Sequence, residues 1–465
     1  MWLTIAAALC VLLGCLILSI AGLKARNGLD VLFYSCLTVC FGIGAFSVVF
    51  LLARALNATH IFKADLLAVT LLAALYLVAR RRKPRNFPSH PSDPEFPKFL
   101  RRIEVSALAI SLVIAAYALV ARAVVHPHGD GWDAFGIWNL HARFLFLGGS
   151  HWRDGYSTLI PWSHPDYPPL LPAAIAHFWT YLDNNSTAIP LAVGLAFTVA
   201  TVGLLYSSLG VTRGRNAAML GTLTLTSTPF FIEQGAAQYA DIPLSFFLLA
   251  TLVLLDRGWS TGSRRVLSLA GLAAGFAAWT KNEGLLFLLS AIIGQALSIL
   301  LRRVPVGPRS LRRLDAFGAG TAALLALIFW FKHFMAPPSD LFTIPISMLS
   351  KMESPVRYWV ILKWYGKEAL RFGEWWIIPL TVALVGLYLF SSDEVLEENQ
   401  SARRASIWTV GLTLAGYFAI YLITPNDLYW HLRFSLNRLF LAMWPSVIYL
   451  YFSSVSFRSL AKISK

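Results

Sequence analysis

DVLFYSCLTVCFGIGAFSVVFLL, residues 30–52, contains no charged side chain after Asp30. An apolar run of ~20 residues is the length at which an α-helix crosses a hydrocarbon core. Stretches of the same kind recur along the chain. Of its 465 residues, 57% are hydrophobic and 14% charged, against ~25% charged in a typical soluble domain. Mean hydropathy is +0.61. An aqueous globule exposes too much surface to hide this much apolar area, which rules out a soluble enzyme, a disordered chain and a disulfide-stapled secreted domain. Alternation at a period of two is absent, so the pattern is not that of a β-barrel. The fold class expected is an all-α polytopic membrane protein.

Thirteen spans are expected, at roughly 1–22, 30–52, 64–79, 103–125, 187–209, 215–232, 242–256, 266–280, 284–301, 315–335, 374–391, 406–423 and 436–456. Segments 64–79, 242–256 and 266–280 are short and need snorkelling ends or a thinner local bilayer. The apolar stretch 168–182 holds Pro168, Pro169 and Pro172 and reads as a helix lying in the interface. Cys10, Cys15, Cys36 and Cys40 all fall in the first two runs, where a small apolar side chain serves helix packing. The first run lacks a basic leader and an evident cleavage site, so it reads as a retained helix. Gly271 and Gly275 have the spacing of a close helix contact within the bundle.

Lys and Arg number 39 against 24 Asp and Glu, a net charge of +15. Alternating the spans gathers most of these cations, including Arg80-Arg81-Arg82-Lys83 and Arg302-Arg303 with Arg312-Arg313, on one set of connectors. That set comprises 23–29, 80–102, 210–215, 257–265, 302–314, 392–405 and the tail from 457. By the positive-inside rule it is cytoplasmic. The basic surplus therefore reports insertion, and no nucleic-acid partner is expected. The other set, 126–186, 233–241, 281–283, 336–373 and 424–435, faces outward. Pro84–Pro97 reads as a cytoplasmic linker.

Unusual residues collect on the outward set. HPHGDGWDAFGIWNLHARFLFLGGSHWRDGYSTLIPWSHPDYPP, residues 126–169, holds Asp130, Asp133, Asp154 and Asp166, five His, and Trp132, Trp138, Trp152 and Trp162. Phe135, Trp138, Ala142 and Leu145 recur at helical spacing and predict a short amphipathic helix with Asp133 at its start. Such an Asp can also simply cap backbone N–H groups, and the aromatics can form an interfacial belt. Asp241 opens a later span and is followed by Pro243; it too has the position of a cap. Lys281 and Glu283 sit between two apolar runs, where a lysine can snorkel. His431, Arg433 and Arg438 follow, the last inside an apolar stretch about one turn from Arg433. Arginines there are costly unless an anion meets them. Carboxylates, cations and aromatics on one side suit an anionic, hydroxylated substrate at the membrane surface.

These stretches resemble the glycosyltransferase C superfamily, multi-spanning enzymes that take sugar from a polyprenyl-phosphate carrier. It includes protein O-mannosyltransferases, lipid A aminoarabinose transferases and relatives acting on lipopolysaccharide core. DGWDAFGIWNLHARFLF at 130–146 is similar to the family's acidic motif in the first outer loop. HPDYPPLLP at 164–172 is similar to its Pro-Pro signature. YADIPLSFF at 239–247 resembles the second Asp at the mouth of a span, and TKNEGLLF at 280–287 the later basic residue. HLRFSLNRLFLAMWP at 431–445 is similar to the carboxyl-terminal Arg helix. The resemblance covers roughly 103–335 well and the last third loosely. Many relatives have Asp-Glu where this chain has Asp133-Ala134.

The resemblance implies a conserved module over 101–335 with a catalytic outer loop at 126–186, preceded by an added three-helix unit at 1–100 and followed by an outer loop and carboxyl-terminal helices at 336–465. It implies transfer of sugar from a polyprenyl-phosphate donor to a hydroxyl of a lipid, glycan or protein acceptor, with inversion by single displacement. Asp133 is the first choice for general base and Asp130 the second, with Asp241 completing the catalytic carboxylates. Asp166, His164 and Tyr167, with Trp132 and Trp138, would meet substrate. Lys281, paired with Glu283, and His431, Arg433 and Arg438 would meet the phosphate. No cofactor is firmly indicated; His126, His128 and Asp130 are close enough in sequence to share a divalent cation. Membrane lipids are expected partners, and a bacterial inner membrane with the site facing the periplasm the expected location. A glycan polymerase or ligase, a lipid-linked sugar flippase and a non-catalytic scaffold are the competing readings.

Overall fold

The structure is a computed structural model that describes residues 1–25, 27–58, 60–80, 98–301, 308–339, 350–374 and 400–454. The expected span 374–391, the linker 84–97, most of the Arg80–Lys83 and Arg302-Arg303 clusters and the tail lie outside the described residues. What is described is helical, and all-helical is what the apolar runs predict. The long helices are α1 (Trp2–Ile20), α2 (Gly28–Ala55), α3 (Ile61–Ala79) and α4 (Lys98–Val125). After the loop come α5 (Gly131–Asp133), α6 (Asn139–Leu147), α7 (Leu170–Leu182) and α8 (Ala188–Arg213). Then follow α9 (Arg215–Thr226), α10 (Pro229–Gly235), α11 (Asp241–Thr261), α12 (Arg264–Thr280), α13 (Asn282–Leu300) and α14 (Pro308–Phe334). The last are α15 (Pro355–Arg371), α16 (Gln400–Ile423) and α17 (Leu428–Ser454).

Among the described residues, nine helices are long and apolar enough to cross a membrane: α1 to α4, α8, α11, α13, α14 and α16. The expected count of thirteen is not reached by this measure; the span 374–391 lies outside the described residues, and each of the other three shortfalls has a local cause. The apolar run at 215–232 is broken at Ser227–Thr228 before Pro229, because the residue ahead of a proline is driven out of the helical region; α9 is only 12 residues long. Helix α12 has 17 residues. Helix α17 is long, but its first turns carry His431, Arg433 and Arg438. Helix α7 does start at the prolines, yet ten of its residues are buried, Leu170 to His177 without a break. It is an interior helix rather than one floating with a free face.

Capping explains several starts. Asn27 accepts the Asp30 N–H at 2.9 Å ahead of α2, and the Ser263 side chain accepts from Val266 N ahead of α12. Helix α11 is the centre of the bundle and is buried over almost its whole length. It packs against α8, α12 and α17. The amino-terminal helices are part of the same body, α2 packing on α7 and α8. Ser47 of α2 accepts from Trp279 Nε1 of α12 at 3.2 Å.

Small residues set the closest approaches. A Cβ on Gly271 would lie 2.0 Å from the Phe317 carbonyl oxygen of α14, so this glycine serves a helix contact inside the bundle. Cys10, Cys36 and Cys40 are buried and free, as packing side chains should be, whereas Cys15 is exposed. Gly318, one residue beyond Phe317, has nothing within 4 Å of an added Cβ. Gly271→Val is therefore expected to cost at least ~1–3 kcal/mol by overpacking and to lower the thermal midpoint of the detergent-solubilised protein. Gly318→Ala on the same helix pair should leave that midpoint unchanged; equal midpoints for both variants would contradict the packing argument.

Candidate active site

Successive helices run back and forth, so the C-terminal ends of α4, α12 and α14 meet the N-terminal ends of α11 and α13. Asp241 is the first residue of α11, and Lys281 lies between α12 and α13. At this end Arg438 of α17 reaches two carboxylates at once. Its Nη1 donates to Asp133 Oδ2 at 2.6 Å, and its Nε and Nη2 meet Asp241 Oδ2 at 2.8 and 2.7 Å. Lys281 Nζ donates to the other oxygen of Asp241, Oδ1, at 3.0 Å and lies 2.9 Å from Glu283 Oε1. The result is a chain of alternating charge, Glu283–Lys281–Asp241–Arg438–Asp133. Asp241 is almost inaccessible, at 2% of its side chain, while Asp133 keeps 23% at the rim. Neither Asp133 nor Asp241 makes a side-chain cap, so the capping alternative is not the one realised.

Burial works against the Lys281 ammonium, but the Asp241 and Glu283 carboxylates outweigh it and hold its pKa above the usual lysine value. The Arg438 guanidinium also lies 4.7 Å from the Tyr239 ring. Burial, reinforced by the Asp133 carboxylate, pushes the Tyr239 hydroxyl up to about 12, so it stays a neutral donor. Room for this phenol comes from Gly131, at φ +71°, where a Cβ would stand 2.6 Å from Tyr239 Oη. The segment is tied down by Asp130 N–H donating to Ala237 O at 3.2 Å. Asn139 Nδ2 donates to Gln238 Oε1 at 2.9 Å, and Gln238 Nε2 to Pro127 O at 3.1 Å.

Asp130 belongs to a neighbouring group, ion-paired with Arg122 of α4, which also holds Glu233 of α10. Among the described residues no three His, Cys, Asp or Glu side chains converge to hold a metal ion, so His126, His128 and Asp130 do not form the shared set considered above. Asp166 occupies a third group. It accepts from Asn282 Nδ2 at 2.7 Å, lies 3.7 Å from Lys332 Nζ, and Lys332 donates to Asn282 Oδ1 at 2.7 Å. His164 and Tyr167 stack at 4.9 Å, and Tyr167 stacks on Trp138 at 5.6 Å. Lys281 Nζ sits 5.7 Å from the Tyr167 ring, joining this group to the charge chain.

The expected roles separate on inspection. Trp138 is fully buried and Trp132 is exposed, so the first supports Tyr167 and the second faces outward. Phe135 is exposed while Trp138, Ala142 and Leu145 are buried, so the four residues recurring at helical spacing do not share one face. Residues Ala134–Trp138 form a π-turn, and the extra residue rotates the face presented to the core. Arg433 is not beside Arg438. Five residues on an α-helix turn ~140°, and Arg433 instead lines a separate concavity of about 690 Å³ with Trp364, Lys367 and Asn437. His431, near the start of α17, is hydrogen-bonded at 2.8 Å to Oγ1 of Thr424, which precedes that helix. Arg122, Glu233, Asn282, Lys332 and Tyr239 escaped the sequence reading; Lys332 and Arg122, cations at the ends of apolar runs on the same side as Asp133, were the available signal.

Residues 164–333 match the family model described as dolichyl-phosphate-mannose-protein mannosyltransferase. The matched stretch contains Asp166, Tyr167, Asp241, Lys281, Glu283 and Lys332, and stops short of Asp133 and Arg438 on either side. No curated protein and no solved structure gives a significant match.

The charge chain yields a stability test. Arg438→Ala leaves Asp133 and Asp241 facing each other, and removing one partner of a buried pair costs ~3–5 kcal/mol. The thermal midpoint should fall accordingly, and the additional Asp133→Asn change should restore part of it. A midpoint unaltered by Arg438→Ala would contradict the bridge.

Proposed function

We propose, from the match of residues 164–333 to the dolichyl-phosphate-mannose-protein mannosyltransferase family, that the chain is a GT-C membrane glycosyltransferase using a lipid-phosphate sugar donor, and that Asp133 is the base that activates an acceptor hydroxyl at the extracytoplasmic face. The observation that carries this is the position of Asp133. It is the most accessible carboxylate of the charge chain, and Arg438 binds its Oδ2 while Oδ1 makes no hydrogen bond among the described residues. Oδ1 takes the acceptor proton; the acceptor oxygen then bonds to the anomeric carbon as the bond from that carbon to the phosphate oxygen breaks. The leaving group is the polyprenyl phosphate. Arg438, anchored by Asp241 and Lys281, stands where charge develops on that phosphate. Asp166 orients sugar or acceptor hydroxyls. The acceptor is a hydroxyl of a lipid, glycan or protein.

A groove of about 910 Å³ runs along α4 towards this end. Ala107, Ser111, Ala115 and Ala118 form its wall at helical spacing, with Thr226, Pro229 and Ile232 opposite and Arg122 at its head. Small residues at i, i+3 and i+4 leave room for an apolar chain. We read it as the seat of the donor's isoprenoid tail. The cations Arg213, Arg215, Arg264, Arg265, Arg403 and Arg404 lie at the opposite ends of the helices, which supports an outward-facing site by the positive-inside rule, in a bacterial inner membrane.

Release of polyprenyl phosphate from polyprenyl-phosphate-mannose by the protein in liposomes tests the assignment. Asp133→Asn should slow transfer by about 10²–10⁴-fold, the usual worth of a general base, with Asp130→Asn far milder. Wild-type turnover in Asp133→Asn would remove Asp133 from the chemistry. Leu159→Cys should react with a membrane-impermeant maleimide from outside the cell; protection there, with labelling from the cytoplasm, would reverse the orientation.

A further inference from the structure

Helix α3 has one buried side chain, and it is an aspartate: Asp65 is wholly inaccessible. Its Oδ2 accepts from Tyr181 Oη at 2.6 Å and lies 3.1 Å from His177 Nε2, both on α7. His177 is equally inaccessible. Its Nδ1 lies 2.9 Å from the Phe46 carbonyl oxygen of α2, and its ring stacks on Phe46. A carbonyl only accepts, so Nδ1 carries a proton. Nε2 then faces a carboxyl group, and the pair must hold one more proton, on Nε2 or on Oδ2. Either arrangement is neutral overall, which is what burial demands. Three helices are thereby pinned at one polar point within otherwise apolar packing.

The pinned helix leads straight to the site. Between His177 and Asp166 lie two turns of α7 and then Pro169 and Pro168, whose fixed φ leaves little slack. Tyr167 follows, and then Asp166, which is bonded to Asn282 and paired with Lys332 as described. We propose that Asp65, His177 and Tyr181 are positioning residues through which the amino-terminal helices set the place of Asp166, and so of the substrate hydroxyls it orients. This rests on the role given to Asp166 above. A second tie supports it: Arg54 Nη2 of α2 donates to Gly149 O in the same outer loop, at 2.7 Å.

The test is a set of steady-state measurements on the full chain in liposomes, with polyprenyl-phosphate-mannose as donor, each variant made alone and with Asp166→Asn. Asp65→Asn should keep near-normal kinetics, because an amide nitrogen in the place of Oδ2 can donate one proton to Nε2 and the other to Tyr181 Oη, a hydroxyl that also accepts. Asp65→Ala and Tyr181→Phe should each raise the KM that Asp166→Asn raises, by roughly fivefold to tenfold, the equivalent of one lost buried hydrogen bond, with kcat less affected. In the Asp166→Asn background the same changes should move KM by less than about twofold, since coupled sites are not additive. Multiplying effects in both backgrounds would overturn the inference while leaving Asp166 in its role. Wild-type kinetics for Asp166→Asn alone would overturn that role and the inference with it. Tyr181→Phe, which removes one hydroxyl, carries the test if Asp65→Ala does not insert.

Discussion

One guanidinium holds this end of the molecule together. Arg438 comes from the last described helix, Asp241 from the central one and Asp133 from the end of α5, and the planar fork of arginine is the side chain that can serve two carboxylates in fixed directions. Removing charges from water is costly, and the bundle meets that cost by alternating sign outward from Asp241, through Lys281 to Glu283 on one side and through Arg438 to Asp133 on the other. Each inner charge has an opposite neighbour on both flanks. The end of the chain at Asp133 is where the alternation meets the accessible rim.

Which end of the helices these residues share was easier to read than the direction in which each points. The charge distribution along the sequence brought Asp133, Asp241, Lys281 and Arg438 to one end of the helices because each sits where an apolar run begins or stops. That logic needs only alternation of spans. It says nothing about rotation around a helix, which is why closeness in sequence pairs Arg433 with Arg438 although ~140° separates them. The π-turn at Ala134–Trp138 defeated the stripe through Phe135 for a related reason: one inserted residue shifts every later side chain, and no composition signal announces it. Arg122 with Glu233 and Lys332 with Asn282 were hidden because each pair is long-range, joining α4 to α10 and α14 to the start of α13.

The expected division of the chain at residue 100 also has a physical side. Helices α1 to α3 read as an addition because the resemblance stops before them. In the folded chain they meet the module through directional polar contacts. Ser47 meets Trp279, Arg54 meets Gly149, and Asp65 meets His177 and Tyr181. Apolar packing between helices in lipid offers little preference for one rotation over another, because the surrounding chains are as apolar as the helices themselves. Hydrogen bonds with fixed geometry supply that preference. Asp65, alone on an otherwise outward-facing helix, fixes how α3 is turned.

The groove beside α4 is open along its flank, with Ile110, Ile114 and Val125 exposed at its edge. A lipid reaches such a groove by sliding in from the bilayer, never by diffusing up from water. Encounter is then a two-dimensional search, and saturation is set by how crowded the leaflet is with carrier. Diluting the membrane with inert lipid would slow the reaction even with the total amount of every reactant held constant, and the mole fraction in the bilayer becomes the concentration that matters.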